Sequence, residues 1–570
     1  MKTNSTKYYC ILLCITIILL YIIYYFIGIF PDEHTECELS IHHNGIFLNS
    51  PVTLFNNWNV YTFITYPIVF IKRIFPNNNI HTYFLLFLSC VYISNYLFLF
   101  ATRIKENYLQ INSKISIILI PLFVIIITTL FNEIFYLQYI KVAIHLIFTG
   151  IILYNLSKNN GIRTIGFICT ILGILIRYES IMIVLPFLIL TYLLFFDAFN
   201  KQKIFIKVKN NLCFVIATII AIIFCNQNYT KADKSYYPYH DIVNTIADFR
   251  LNDVNTTTKT DLDLAKLKMI QHYYYNDIKN INPKDAYRLG IKPMSRNPIK
   301  LLKYFNLKKS INRGIIDFIK FIRNNYKYII IYLFCYMTLL ILSKKHNALK
   351  HLFYLISGFI FLVAMSIYMD IQERFSLPVL SFIFIFSLFI LLKDKMRYGN
   401  KSIIILNIVM IILFSLNSYN NYFKLQIYHE IDVQAKAINE TLNRNKYEVV
   451  FWDFYLWNML NNNVASNFPL YDKKRDYSID FPFGFALDEY KNRLETKFNT
   501  KDFYNIINQS VKNKKYVYFY TEEHLATIIN YINLQYKRKI IINKLSINEL
   551  YFDKLINPNI KYYLFYLSED

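Results

Sequence analysis

Three charged clusters stand at the edges of apolar runs, where ionisable groups are costly unless they have work or a partner. Pro31-Asp32-Glu33-His34 closes the first run, Arg177-Tyr178-Glu179-Ser180 separates the runs 165–176 and 181–196, and Gln372-Glu373-Arg374-Phe375-Ser376-Leu377-Pro378 opens a later one. A carboxylate such as Asp32 or Glu33 can coordinate a divalent metal ion, or take the proton from a hydroxyl or amine as that group attacks. The same residues also fit an ordinary translocated loop. The Arg177 guanidinium can grip phosphate oxygens bidentately, and it can equally form an ion pair between or within helices, with Glu179 fixing it. Glu373 and Arg374 have the same two readings, with phosphate binding by Arg374 preferred. Glu133, in Asn132-Glu133-Ile134, is a further acid between two apolar runs.

The elements that must position these clusters are apolar stretches of about 15 to 23 residues, long enough to span a bilayer as helices. They fall near 8–30, 82–102, 114–131, 138–156, 164–177, 181–198, 210–226, 327–343, 351–368, 375–392 and 402–417, about eleven spans in all. The stretch 61–75 is interrupted by Pro67, Lys72 and Arg73 and reads as interfacial. With the N-terminus inside, the short inside loops carry Arg103 and Lys105, Lys158 and Arg163, Lys201 to Lys209, Lys344 to Lys350, and Lys393 to Lys401, as the positive-inside rule requires. All three clusters, Glu133, the long loop 227–326 and the tail from 418 then fall on the other side. The first run is long and lacks a small-residue cleavage site, so it reads as an uncleaved span.

Composition agrees with a polytopic membrane protein. The chain has 570 residues, 55% of them hydrophobic, with only 11 glycines and a mean hydropathy of +0.28, outside the range of soluble domains. A formal charge of +24 would suggest nucleic acid in a soluble protein; here topology and phospholipid contact account for it, and no nucleic-acid partner is expected. None of the eight cysteines lies after Cys335, which excludes a disulfide or zinc framework in the last third.

The long loop ends in a basic, amphipathic stretch. Lys300, Lys303, Lys308, Lys309, Arg313 and Lys320 interleave with Leu301, Leu302, Phe305, Ile315, Ile316 and Phe318, spacing that suits a helix lying on headgroups. The tail mixes strand-like runs at 448–452 and 515–520 with helical ones around 430–444 and 522–535, a pattern for a small α/β domain.

In order and on one expected face, the three clusters resemble the motifs of polytopic glycosyltransferases of the GT-C class, such as the protein O-mannosyltransferase-like and lipid A aminoarabinose transferase-like enzymes. Those enzymes carry an acidic motif in the first external loop, an R-P-E or R-Y-E motif in a later turn, and an E-R-Y-x-x-P-like motif opening a late span. Asp32-Glu33, Arg177-Tyr178-Glu179 and Glu373-Arg374-Phe375-Ser376-Leu377-Pro378 match these, with Tyr178 in place of Pro in the R-P-E version and Phe375 in place of Tyr. Glu133 stands loosely for a second acidic position of the class.

The resemblance covers about residues 1 to 417. It implies a GT-C-like catalytic bundle at 1–417, including the external loops 31–81 and 227–326, followed by an extracytoplasmic α/β domain at 418–570. It also implies a multi-pass protein of the plasma (inner) membrane with a cytoplasmic N-terminus. The implied reaction is transfer of a hexose or pentose from a polyprenyl-phosphate donor to a lipid, glycan or protein acceptor. Asp32 would be the base with Glu33 in reserve, and Arg177 and Arg374 would hold the phosphate, with Glu179, Glu373 and Glu133 lining the substrate site. No cofactor is implied with it; a divalent ion, where one takes part, would fall to Asp32 and Glu33. The alternatives are a polymerase or ligase of lipid-linked oligosaccharides, which would lean on external arginines, or a non-enzymatic transporter or flippase.

Other residues have plainer readings. His34, His42 and His43 sit among acids without metal-site spacing, and His145 within a span reads as a hydrogen-bonded interhelical residue. Trp452, Asp453, Tyr455 and Trp457 form a cluster that suits a domain core or an interfacial belt better than a sugar platform. The sequence contains no Walker loop, Rossmann fingerprint, serine elbow or Cys-His signature.

Overall fold

The computed structural model describes residues 5–27, 91–100, 124–126, 139–156, 160–177, 180–195, 212–231, 259–272, 274, 277, 279–291, 307–368, 373–393, 445–453, 476–477, 494–545 and 562–570, with single residues or pairs between 408 and 442. The described residues are mainly helical with one small sheet. In chain order the helices are α1 (Ser5–Ile27), α2 (Tyr139–Leu156), α3 (Asn160–Ile176), α4 (Ser180–Phe195), α5 (Leu212–Lys231), α6 (Asp261–Gln271), α7 (Pro283–Arg288), α8 (Leu307–Asn324), α9 (Tyr326–Leu342), α10 (Lys345–Tyr368) and α11 (Glu373–Lys393). Then follow β1 (Val449–Trp452), β2 (Asp476–Tyr477), α12 (Phe503–Lys512), β3 (Tyr516–Thr521), α13 (Glu522–Tyr536), β4 (Ile540–Lys544) and β5 (Tyr562–Glu569). Two compact units result: α1–α5 with α8–α11, and α6–α7 with all elements from β1 onward.

In the first unit eight of the expected apolar runs become helices, α1 to α5 and α9 to α11; the run 82–102 is described as helix over 91–100, the runs 114–131 and 402–417 lie outside the described residues save for 124–126 and a few single positions, and the stretch 61–75 lies outside them altogether. By length and composition one described helix, Asn347–Ile367, is long and apolar enough to cross a bilayer, or two if the bent pair α8–α9 counts as one span. Shorter apolar helical segments are Ile11–Ile22, Val91–Phe100, Ile140–Asn155, Asn160–Ile176, Ser180–Phe195, Phe214–Ile223 and Ser376–Leu391.

Glycines set the closest approach in this unit. A Cβ at Gly166 would lie 2.6 Å from the Tyr154 amide nitrogen and 2.7 Å from the Gly150 carbonyl oxygen, and one at Gly173 would meet Ile147 and Ala143. Helices α2 and α3 therefore run antiparallel with their backbones nearly touching, a close packing that small residues at the interface permit. Gly166→Leu is expected to destabilise the unit by about 1 to 3 kcal/mol through overpacking against rigid backbone. The unfolding midpoint of the purified protein in detergent checks this, and an unchanged midpoint would contradict the packing.

The second unit is built on a five-stranded sheet of order β2-β1-β3-β5-β4. Strand β1 is parallel to both neighbours, and β5 is antiparallel to β3 and β4. All four residues of β1 are buried, as are Val517 to Thr521 of β3, the continuous apolar pattern of strands covered on both faces. Phe451 stacks on Tyr518 with ring centroids 4.7 Å apart, and Trp452 meets Phe519 edge-on at 5.3 Å. The tryptophan is thus a core residue, 1% exposed.

Helix α12 buries Phe503, Ile506, Ile507 and Ser510, and its N-cap Asp502 accepts from the Asn505 amide. Helix α13 starts on the N-cap Thr521, whose hydroxyl accepts from the His524 amide at 3.1 Å, and ends where Lys537 turns left-handed.

Residues 259–291, expected as part of a long external loop, pack onto α13 in this second unit. The pin is Asp277, 3% exposed. Its carboxylate accepts from the Tyr531 hydroxyl at 2.7 Å, the Tyr536 hydroxyl at 2.6 Å and the Asn280 amide at 3.0 Å. Burial, then the neighbouring carboxylate, pushes both tyrosine hydroxyls well above the usual phenol range. Asp277→Ala strands these donors and is expected to cost about 2 to 3 kcal/mol. Limited proteolysis should then cut faster within 259–291; an unaltered cleavage rate would argue against the pin.

Candidate functional site

The relative directions of the helices decide which of their ends coincide. Helix α3 is antiparallel to α2, with Gly173 lying beside Ala143 and Ile147, so the C-terminal end of α3 and the N-terminal end of α2 are together. Helix α11 runs parallel to α2: Ser381 Oγ is 3.1 Å from His145 Nε2, and Phe148 stacks on Phe382 at 4.4 Å and meets Phe386 at 5.7 Å. Helix α4 is parallel to α11 as well, through Phe187 with Phe382 and Phe195 with Phe386. Helix α10 is antiparallel to α11, since Gly358 faces Ile383 and Tyr354 faces Phe386. Its C-terminal Ile367 lies against Gly314 of α8.

One end of this unit therefore gathers the Arg177 break, the first turn of α11 with Glu373 and Arg374, and the amphipathic α8. Arg177 is half-buried; its amide donates to the Gly173 carbonyl at 2.9 Å, and its carbonyl accepts from the Ser180 amide at 3.1 Å. The chain thus closes α3 and restarts as α4 within one tight turn. Ser180, 1% exposed, opens α4 with an Oγ that has no hydrogen-bond partner among the described residues, and a buried hydroxyl calls for one. Glu373 and Arg374 are placed on the first turn of α11 by the backbone. Asp32, Glu33, Glu133 and Glu179 lie outside the described residues, so Asp32 and Glu33 as base or metal ligands are read from sequence. Among the described residues no cluster of three or more His, Cys, Asp or Glu could hold a metal ion.

Deeper in the same unit, His145 is the centre of a buried network. It contacts the Tyr96 hydroxyl and Ser381, while its carbonyl accepts from Thr149 Oγ1 at 2.6 Å and from Asn95 Nδ2 at 3.3 Å. Asn95 also bonds Thr149. This is interhelical glue joining 91–100, α2 and α11, as the sequence reading had it.

The second unit holds a pair that sequence reasoning missed. Asp453, fully buried, follows β1, and its Oδ2 accepts from His524 Nδ1 at 2.6 Å. His524 lies in the first turn of α13, directly after β3. The two groups thus meet at the carboxyl ends of the parallel strands β1 and β3, the switch point of a sheet in which β1 lies between β2 and β3. His272 stands 5.4 Å away, ring centroid to centroid, and stacks on Tyr274 at 5.7 Å. Burial, reinforced by the neighbouring His524, holds the His272 imidazole below its usual range. A buried carboxylate fixes the tautomer and orientation of its histidine, so the pair can act in proton transfer. No spacing signal could have found it, because 71 residues separate the partners.

Comparison with protein-family models, with curated proteins and with solved structures gives no match.

Proposed function

We propose that the chain is an integral-membrane glycosyltransferase that moves a sugar from a polyprenyl-phosphate donor to a lipid, glycan or protein acceptor on the extracytoplasmic face. The fold in this reading is a GT-C-like bundle of about eleven spans, set in the plasma membrane with the N-terminus inside and an α/β domain outside. The observation that carries it is the gathering, at one end of the first unit, of the Arg177 turn and the Glu373-Arg374 start of α11. Two guanidinium-bearing segments at one helix-bundle end suit a phosphate at the membrane edge.

The step is a displacement at the anomeric carbon. The acceptor oxygen or nitrogen forms the new bond and gives its proton to Asp32; the bond from the anomeric carbon to the phosphate oxygen breaks, and its electron pair leaves with the polyprenyl phosphate. Configuration inverts. The leaving phosphate is stable as an anion and needs no protonating acid, so one carboxylate for the acceptor and two cations for the phosphate are a sufficient set. Glu179 serves to fix Arg177, and Glu33, Glu133 and Glu373 complete the polar lining.

The test is incubation of the purified protein with a panel of sugar-labelled polyprenyl phosphates, with and without a chelator. Label leaving at least one donor supports the reading, and loss with chelator shows that a divalent ion takes part, for which the Asp32-Glu33 pair is the candidate site. A complete absence of transfer and hydrolysis across the panel contradicts it.

A further inference from the structure

Helix α8 has three sides of different character. Gly314, Asp317 and Phe321 are buried, and a Cβ at Gly314 would stand 2.7 Å from the Ile367 Cα of α10. At about 100° per residue, Ile311, Ile315, Phe318, Ile319 and Ile322 share a second side. Ile315 and Ile319 on that side are 45% and 58% exposed. The third side collects Asn312 with Lys309, Arg313, Lys320 and Arg323, of which Lys320 and Arg323 are exposed, and it also carries one exposed apolar residue, Ile316; Lys308 falls on the apolar side, between Ile315 and Ile319. The helix holds a single acid, Asp317, which is buried and 4.0 Å from Lys320.

After Asn325 the chain turns by 83° into α9, an apolar helix with Ile330, Leu333, Phe334, Met337 and Ile341 on its outside. A helix at right angles to a span lies in the plane of the membrane surface. An apolar stripe beside a basic one is the pattern of a helix seated at the boundary between headgroups and acyl chains, its cations reaching to anionic headgroups.

We propose that α8 is an in-plane interface helix that rests on an anionic phospholipid surface. Ile311, Ile315, Ile319 and Ile322 enter the headgroup boundary, while Lys309, Arg313, Lys320 and Arg323 hold the lipid phosphates. This rests on the membrane-spanning part of the proposed function and adds a partner to it. The anionic lipid binds at the same end of the unit as the Arg177 turn, so α8 also keeps phosphate-bearing lipids concentrated beside that turn.

The test uses the full chain in bilayers, with one tryptophan added at Ile315 or Ile319, at Phe334 as the control for α9, or at Asn312 as the control for the polar side. The native tryptophans supply a constant background. Lipids brominated at shallow or deep acyl positions and aqueous acrylamide report depth. The expected result is that Ile315→Trp and Ile319→Trp add blue-shifted emission quenched by shallow bromines, Phe334→Trp by deep ones, and Asn312→Trp by acrylamide. The shallow quenching should weaken when phosphatidylglycerol is replaced by phosphatidylcholine, and in Lys309→Gln/Lys320→Gln/Arg323→Gln.

Acrylamide quenching at Ile315→Trp and Ile319→Trp, with Phe334→Trp still deep, overturns the interface helix and leaves the spanning reading standing. Acrylamide quenching at all positions overturns both. Equal shallow quenching in the two lipids overturns the anionic assignment. The readout involves no sugar transfer, so it is separable from the catalytic reading.

Discussion

Asp32→Asn is expected to lower sugar transfer by about 10²- to 10⁴-fold, the usual contribution of a positioned general base. Asparagine keeps the size and one acceptor oxygen of the side chain but cannot take the acceptor's proton. Donor affinity should stay within a few-fold, because the carboxylate is assigned to the acceptor and the arginines to the phosphate. Initial rates at saturating donor separate the two effects. Glu33→Gln provides the contrast: a smaller loss is expected, since the neighbouring Asp32 remains. If the chain were a polymerase or ligase driven by external arginines, Asp32→Asn would be tolerated. A rate equal to wild type would remove Asp32 from the reaction.

Arg177→Gln and Arg374→Gln are each expected to lower kcat/KM for the donor by about 10- to 150-fold, the equivalent of about 1.5 to 3 kcal/mol for a charge-assisted hydrogen bond. Lysine at either position should recover part of the loss, as a point charge without the planar fork. Since both segments meet at one end of the unit, the guanidinium groups are expected to share one phosphate. The double variant should then lose less than the product of the single losses, the signature of groups acting together. A purely structural ion pair would behave differently, lowering the unfolding midpoint while leaving kcat/KM of the surviving folded protein unchanged.

The local features of this molecule were legible in the sequence because local signals report them. The break at Arg177 and the start of α11 at Glu373 followed from charges interrupting apolar runs, and the strand-like runs at 448–452 and 515–520 became β1 and β3. The amphipathic spacing around Arg313 became α8. What could not be read were contacts made across long separations. Asp277 reaches Tyr531 over 254 positions, and an isolated acid in a polar loop looks like any solvated charge until its partners are known. Asp453 was visible only as part of an aromatic cluster, with nothing to join it to His524. The glycine contacts of α2 and α3 were equally hidden, since Gly150, Gly166 and Gly173 carry meaning only once two backbones are brought together.

Sided turnover in sealed proteoliposomes tests the central claim most directly. With a sugar-labelled polyprenyl phosphate and an acceptor supplied on one face at a time, one polyprenyl phosphate should be freed for each sugar moved, on the face opposite the N-terminus. Turnover from the N-terminal face, or no release of polyprenyl phosphate from either face, would contradict the assignment of the Arg177 end of the bundle as an external sugar-transfer site.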